Sequence, residues 1–99
     1  MALRIAQSAL EDLRGIKAHY SEQGVAHTGK EYVAAILKHA EMLQQHPDAG
    51  RVVPEFNLDH IRELIHPPFR VVYARQEAEL ILIRVWRSER QLKLPDEAK

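Results

Sequence analysis

Arginine is the residue type in this chain whose spacing most suggests chemistry. Of the nine arginines, seven lie at or after Arg51. The planar guanidinium group can donate paired hydrogen bonds to a phosphate or a carboxylate, so a cluster of arginines can bind either group. The predicted patch, for phosphate groups or for a carboxylate-rich partner, consists of Arg62, Arg70, Arg84, Arg87 and Arg90.

A purely structural interpretation of these arginines stays open, in which each one pairs with a nearby carboxylate. The candidate pairs are Arg62 with Asp59 or Glu63, and Arg87 or Arg90 with Glu89. Exposed ion pairs of this kind contribute about 0–1 kcal/mol each. The arginines would then form a solvated surface without a ligand.

Trp86, the single tryptophan, also has two interpretations. Large aromatic side chains fill space in cores, but Trp and Arg are also over-represented among the residues that anchor a partner. Trp86 is therefore added to the candidate partner-binding residues.

The sequence supports other kinds of site poorly. His39 and His46 share a helix face but lie about 10 Å apart by helix rise, too far apart to bind one metal ion. There is no cysteine, no glycine-rich phosphate loop and no serine with an evident base beside it. We predict neither a metal site nor a cofactor.

Length and charge limit the class of protein. The 99 residues suffice for one domain, predicted to span 1–94, with a mobile tail at 95–99. Fourteen basic and fourteen acidic residues give a formal net charge of zero, which argues against strong attraction of the whole molecule to nucleic acid. Without a membrane-length apolar run or a signal-peptide pattern, we expect a cytoplasmic protein.

The hydrophobic pattern predicts one strand, two helices and three further strands. The helices are predicted at about 8–22 and 29–46, with capping boxes that begin at Ser8 and Thr28. Residues 51–59 are expected to be irregular or partly extended. The strands are predicted at Leu3–Ile5, Ile61–Ile65, Phe69–Arg75 and Glu79–Arg87.

This order predicts an α+β fold, β-α-α-β-β-β, in which an antiparallel helical hairpin packs on one face of a mainly antiparallel four-stranded sheet. Alternation along the strands assigns each side chain to one of the two faces. The face toward the helices is predicted to carry Leu3, Ile5, Val71, Tyr73, Ile81, Ile83 and Val85. The opposite face is predicted to carry Arg4, Arg62, Arg70, Arg84, Val72, Leu80, Leu82 and Trp86. A face that mixes arginines with large apolar groups usually marks an interface.

The ordered set of motifs resembles the RelE/ParE toxins of bacterial type II toxin–antitoxin modules over about residues 3–94. The similar segments are Ala9-x-x-Asp12-Leu13-x-x-Ile16-x-x-His19-Tyr20, Tyr32-x-x-x-Ile36, Leu43-x-x-x-Pro47-x-x-Gly50-Arg51, Ile61-Arg62-Glu63-Leu64, Phe69-Arg70-Val71-Val72-Tyr73 and Ile83-x-Val85-x-Arg87-x-x-Arg90. The resemblance implies the same β-α-α-β-β-β fold. It also implies a toxin that a cognate antitoxin wraps and neutralises.

The resemblance implies one of two targets. RelE-like members are endoribonucleases that cleave messenger RNA in the ribosomal A site, whereas ParE-like members poison DNA gyrase. A RelE-like nuclease would use Arg62, Arg70, Arg87 and Arg90 to stabilise phosphate. The chain has no lysine between residues 50 and 61, and no tyrosine or histidine where the general acid should follow the last strand. We therefore favour a ParE-like gyrase inhibitor that acts by binding, with the nuclease as the alternative.

The resemblance also implies a hetero-oligomer with the antitoxin, in which the toxin meets DNA only through the antitoxin. We expect a largely disordered antitoxin segment that folds on binding. It is predicted to cover the outer surface of the helices and the sheet face that contains Trp86. Arg70, followed by Arg87 and Arg90, is predicted to determine toxicity.

Overall fold

The computed structural model describes residues 1–88, so Arg90 and the tail at 95–99 lie outside the described residues. The elements are strand β1 (Ala2–Ile5), helices α1 (Gln7–Glu22) and α2 (Ala26–Glu41), a 3₁₀ turn (Met42–Gln44), and strands β2 (Arg51–Val52), β3 (Ile61–His66), β4 (Phe69–Arg75) and β5 (Glu79–Arg87). This is the predicted α+β order with one strand added. Among the described residues, no helix is long and apolar enough to cross a membrane.

The five strands of residues 1–88 form one sheet in the order β1-β5-β4-β3-β2. Strand β1 runs parallel to β5, and the other neighbouring strands are antiparallel. The sequence predicts four strands because β2 has only two residues and no alternating run. Pairing with β3 holds β2 in the sheet, with Arg51 opposite Glu63 and Val52 opposite Arg62.

Both helices pack on one face of the sheet, as the sequence predicts. Their buried stripes at 3.6-residue spacing meet the apolar side chains of β3, β4 and β5. The buried residues of this main core are Ala9, Leu13, Ile16, Val33, Ile36, Leu43, Leu64, Phe69, Val71, Tyr73, Leu80, Leu82 and Val85. The two helices approach closely at Gly29, where a Cβ atom would lie 3.0 Å from Tyr20 Cβ.

A bulge in β5 interrupts the alternation of side chains. Val72 pairs with Arg84, but the next residue, Tyr73, pairs with Leu82, so Ile83 is an extra residue on β5. An extra residue of this kind shifts the alternation by one position. The side chains of β5 before the bulge therefore point to the opposite face from the one that strict alternation from Val85 would give them.

The face assignments on β5 are corrected accordingly. Leu80 and Leu82 belong to the main core beneath the helices, whereas Ile81 and Ile83 belong to a second core on the other face of the sheet. The prediction had these two pairs reversed. The sequence does not signal the bulge, because all four residues are apolar and fit either face.

Helix α1 supplies partners for two backbone groups of β5 beside the bulge. Ser8 Oγ donates a hydrogen bond of 2.5 Å to the carbonyl of Ile83, and the N–H of Val85 donates to Asp12 Oδ2 at 2.8 Å. Since buried backbone groups need partners, these two contacts make the bulge tolerable and fix α1 to the sheet.

Neither predicted capping box forms. Helix α1 begins after Ala6 without a side-chain cap, and the hydroxyl of Ser8 bonds to the sheet instead. Helix α2 begins after Val25, so Thr28 lies inside it, and α2 ends at Glu41 rather than at 46. In both cases the helix begins before the serine or threonine that was predicted to cap it.

We expect the change Asp12→Ala to lower the free energy of unfolding by about 1–3 kcal/mol, because it leaves the N–H of Val85 and the guanidinium group of Arg84 without their acceptor. Urea unfolding at neutral pH measures this. The matched control Asp48→Ala breaks only the exposed ion pair with Arg75 and should cost less than about 1 kcal/mol. Equal losses in the two variants would contradict the role of Asp12.

Helix α2 contacts β3 through a pair of histidines whose contact could not be predicted from the sequence. His39 Nδ1 and His66 Nδ1 lie 3.0 Å apart, so one ring donates an N–H and the other accepts it. Burial lowers the pKa of His66, and the positive charge of His39 lowers it further. The accepting ring must be neutral, so this contact depends on pH.

We predict that the free energy of unfolding falls as the pH drops below about 6.5, the unfolded pKa of histidine. His66 has a lower pKa when folded, so the unfolded chain binds more protons in this range and acid favours it. The slope of unfolding free energy against pH from 7 to 5 measures the effect. His66→Gln should reduce that slope and His46→Gln should not; the reverse result would refute the assignment.

Candidate functional site

Arg70 lies at the centre of a charge network on the sheet face away from the helices. Its Nε and Nη2 donate hydrogen bonds of 2.5 and 3.0 Å to the two carboxylate oxygens of Glu63. Its Nη1 and Nη2 donate to the oxygens of Glu55 at 2.6 and 2.9 Å. The side chain of Arg70 is 9% exposed, and that of Glu63 is fully buried. Carboxylates therefore occupy two edges of the guanidinium group.

Arg51 completes the network, because its Nε donates to Glu63 Oε2 at 2.8 Å. Two arginines then face two glutamates, which offsets the cost of removing these charges from water. The hydrogen bonds from Arg70 lower the pKa of Glu55 to about 2. In return, the hydrogen bonds to Glu55 and then to Glu63 raise the pKa of Arg70. Glu55 and Arg70 therefore stay charged over the physiological range.

The sequence contains a partial signal for this network. Across the β3–β4 hairpin His66 pairs with Phe69 and Ile65 with Arg70, so Glu63 and Arg70 lie on one face, two residues out of register. The sequence instead suggested Glu63 or Asp59 as the partner of Arg62. It has no signal for Glu55, which lies in the irregular segment before β3.

Arg84 is also held by a carboxylate. Its Nε and Nη2 donate to Asp12 at 2.8 and 2.9 Å, and its guanidinium carbon lies 4.2 Å from the centre of the Trp86 ring. Arg84 is paired with Val72 and alternates with Trp86, so it lies on the face away from the helices, as predicted, and its guanidinium group reaches Asp12 of α1. Trp86 is 5% exposed and packs in the second core. Its contribution to a partner complex stays a prediction.

Arg62 does not join the other arginines. It is paired with Tyr73 on β4, three positions from Arg70, which corresponds to about 10 Å along a strand. Its guanidinium group donates to the carbonyls of Asp59 and Gly50, at 3.1 and 2.9 Å. By alternation Arg62 shares the helix-side face with Leu64, so the predicted position on the opposite face is wrong.

Arg87 lies at the end of β5, on the helix side of the sheet. Its Nη2 donates to the hydroxyl of Tyr20 at 2.8 Å, and its guanidinium carbon lies 5.5 Å from the ring centre of Phe69. Among residues 1–88 it contacts no carboxylate. The sequence suggested Glu89 as its partner, and Glu89 lies outside the described residues.

Between α1 and the end of β5 is a pocket of about 460 Å³, which we call the α1–β5 groove. It is lined by Glu11, Asp12, Gly15, Ile16, His19, Tyr20, Phe69, Val85, Trp86 and Arg87. The sequence singled out two of these residues, Trp86 and Arg87. It could not identify the α1 residues as a site, because they become neighbours of β5 only through the packing of the helix on the sheet.

The predicted patch is therefore divided. Arg70 and Arg84 are neutralised by carboxylates, Arg62 binds backbone carbonyls elsewhere on the sheet, and Arg87 faces the α1–β5 groove. Arg87 keeps guanidinium donors open at the α1–β5 groove and contacts no carboxylate among residues 1–88.

Comparison with known proteins agrees with this fold. The model of the family described as "ParE toxin of type II toxin-antitoxin system, parDE" matches residues 3–92. A solved structure, "Chromosomal ParDE TA system from P. aeruginosa", is similar with a TM-score of 0.76 and 25% identity, over 90% of this chain and 97% of that chain. No significant match is found among curated proteins. The chain therefore belongs to the ParE toxin family, the toxins of type II toxin–antitoxin systems.

Proposed function

We propose that this toxin inhibits DNA gyrase by binding to it, without bond-making chemistry of its own. A cognate antitoxin neutralises the toxin in a hetero-oligomer, and the antitoxin supplies the contact with DNA. The proposal rests on membership of the ParE toxin family, because DNA gyrase is the target expected for ParE-like toxins. The proposed site of action is the cytoplasm, where gyrase works.

The state of Arg70 is the observation that supports a binding mechanism. A phosphate-cleaving enzyme needs cationic donors aimed at the position of the phosphate. The donors of Arg70 are bonded to Glu55 and Glu63, and an entering phosphate would have to displace a charged carboxylate. A network closed in this way stabilises a binding surface, whereas it would hinder catalysis.

A supercoiling assay tests the proposal. Purified gyrase is given relaxed plasmid and ATP, and the refolded toxin is added from below to above stoichiometric amounts. We expect supercoiling to fall as the toxin approaches the enzyme concentration, and to recover when antitoxin is added. Unchanged supercoiling at stoichiometric excess of the toxin would overturn the proposal.

A second candidate function, a ribosome-dependent mRNA endoribonuclease, is favoured by one observation. The α1–β5 groove places His19 and Tyr20 beside Arg87, which brings groups that can transfer a proton next to a cation that can hold phosphate. Pulse labelling after induction without antitoxin separates the two functions. DNA synthesis that fails first supports gyrase, whereas early failure of translation with codon-phased cuts in messenger RNA supports the nuclease.

A further inference from the structure

Residues along one line of α1 form one side of the α1–β5 groove. Glu11, Gly15 and His19 are spaced by four residues, so they follow the helix for about 12 Å. The floor is formed by Ile16 and by side chains of β4 and β5. With a volume of about 460 Å³, the groove falls within the range of about 300–1,000 Å³ that is typical of ligand pockets.

Gly15 leaves the middle of the groove open. A Cβ atom added at this position would meet nothing within 4 Å, and the residue is exposed. Glycine inside a helix weakens it by about 0.5–1 kcal/mol relative to alanine. The missing side chain therefore costs helix stability while it leaves space for the side chain of another molecule.

The charges at the groove select what can enter it. Asp12 is neutralised by Arg84 and by the N–H of Val85. Within residues 1–88, Arg87 contacts no carboxylate, although Tyr20 holds its guanidinium group in place. A fixed guanidinium group with open donors favours a carboxylate in a defined position. The groove thus has apolar lining from Ile16 and Val85, the cation of Arg87 at the end where Tyr20 lies, and the carboxylate of Glu11 at the other end of the α1 line.

We propose that the α1–β5 groove binds the antitoxin through an apolar side chain that enters above Gly15 and an acidic side chain that pairs with Arg87. The proposal rests on the antitoxin part of the proposed function and is independent of the toxin's target. It narrows the expected interface, because buried anchors in pockets carry most of the binding energy of an interface while the surrounding contacts carry little. The antitoxin then also covers the outer surface of α1, but this contact contributes less of the binding free energy.

The test compares two substitutions on α1 that introduce the same side chain. Gly15→Leu fills the groove, whereas Ala18→Leu places the same side chain on the exposed part of α1 outside it. Leucine is a better helix former than glycine, so Gly15→Leu should unfold no earlier than the wild type. The dissociation constant of the refolded toxin for its purified cognate antitoxin is measured by calorimetry. We expect a weakening of about tenfold or more for Gly15→Leu and less than about threefold for Ala18→Leu.

A second pair of variants tests the charge. Arg87→Gln should weaken antitoxin binding by about tenfold and reduce its dependence on salt, whereas Arg14→Gln, at an exposed position of α1, should change neither. Wild-type affinity in Gly15→Leu, or equal effects of Gly15→Leu and Ala18→Leu, would overturn the proposal. So would a folded Gly15→Leu variant that loses gyrase inhibition but binds antitoxin normally, because the groove would then serve the target. A wild-type toxin that binds antitoxin but spares gyrase would refute the proposed target and leave this inference intact.

Discussion

Replacing Arg70 by methionine should lower the free energy of unfolding by about 3–5 kcal/mol, the cost of removing one partner from a buried ion pair. Methionine keeps the apolar stem of the side chain and deletes its charge. The fully buried carboxylate of Glu63 would then have only Arg51 as a partner, and Glu55 would lose both of its hydrogen bonds to Arg70. Urea unfolding followed by tryptophan fluorescence measures the loss, since Trp86 lies opposite Arg70 in the sheet.

Arg75→Met is the matched control, because Arg75 makes an ion pair with an acid that is 63% exposed. Its cost should stay within about 1 kcal/mol. The double variant Arg70→Met/Glu63→Leu should lose less stability than Arg70→Met alone, because it removes the unpaired buried charge together with its former partner. If Arg70→Met cost no more than Arg75→Met, the network would contribute nothing specific to the fold.

Acid unfolding provides an independent readout of the same network. The pKa of Glu55 falls from 4.5 to about 2 on folding, so the carboxylate stabilises the fold fully above 4.5 and loses this contribution as the pH falls through about 2. The hydrogen bond from Arg70 is the largest cause of the shift. In Arg70→Met the acid sensitivity over this range should therefore decrease. The side chain of Glu55 is 44% exposed, so solvent screening keeps the effect modest.

These results bear on how a loss of toxicity should be interpreted. The sequence predicts Arg70 as the first determinant of toxicity, yet its guanidinium group is closed by Glu55 and Glu63. An Arg70 variant that is harmless in cells could simply be unfolded. Toxicity assays of Arg70 variants need the folded fraction at the same temperature beside them. Arg87, whose donors remain open, is the better test of a direct role.

The order of the elements could be predicted from the sequence because it depends on local periodicity. The helix stripes and the run Phe69–Arg75 follow from 3.6-residue and two-residue spacing, and the structure has both. What alternation could not predict is its interruption at Ile83. Beside the bulge, β5 is hydrogen-bonded to Ser8 and Asp12, which are more than seventy residues away along the chain. A one-residue shift of this kind moves every earlier side chain of the strand to the other face.

The hydrogen-bond partners of the arginines could not be predicted from the sequence for a similar reason. Sequence neighbours suggested Asp59 or Glu63 for Arg62, but its acceptors are backbone carbonyls, which any residue type supplies. The partner of Arg84 comes from α1, 72 residues away along the chain. Only the pair of Glu63 and Arg70 could have been found, by counting outward from the hairpin turn.

Gly50→Ala is the second substitution for which we expect a large effect, a loss of about 3 kcal/mol or more. A Cβ atom at this position would lie 2.6 Å from Tyr73 Cε1 and 2.7 Å from the carbonyl oxygen of Glu63. Tyr73 is fully buried and the carbonyl belongs to β3, so neither group can move away without disturbing the sheet. Overpacking alone costs about 1–3 kcal/mol. The hydroxyl of Tyr73 would in addition lose its hydrogen bonds with the N–H of Gly50 and the carbonyl of Pro47, at 3.0 and 2.9 Å.

Gly15→Ala is the control for Gly50→Ala, since the added methyl group meets nothing within 4 Å and alanine favours the helix; it should stabilise the protein by about 0.5–1 kcal/mol. Thermal and urea unfolding of the two variants should thus move in opposite directions. Gly50 directly precedes Arg51, so a displaced backbone there would also draw Arg51 away from Glu63. The losses in Gly50→Ala and Arg51→Met should then sum to more than the loss in the double variant. Full additivity would mean that the close approach at Gly50 and the charge network are independent.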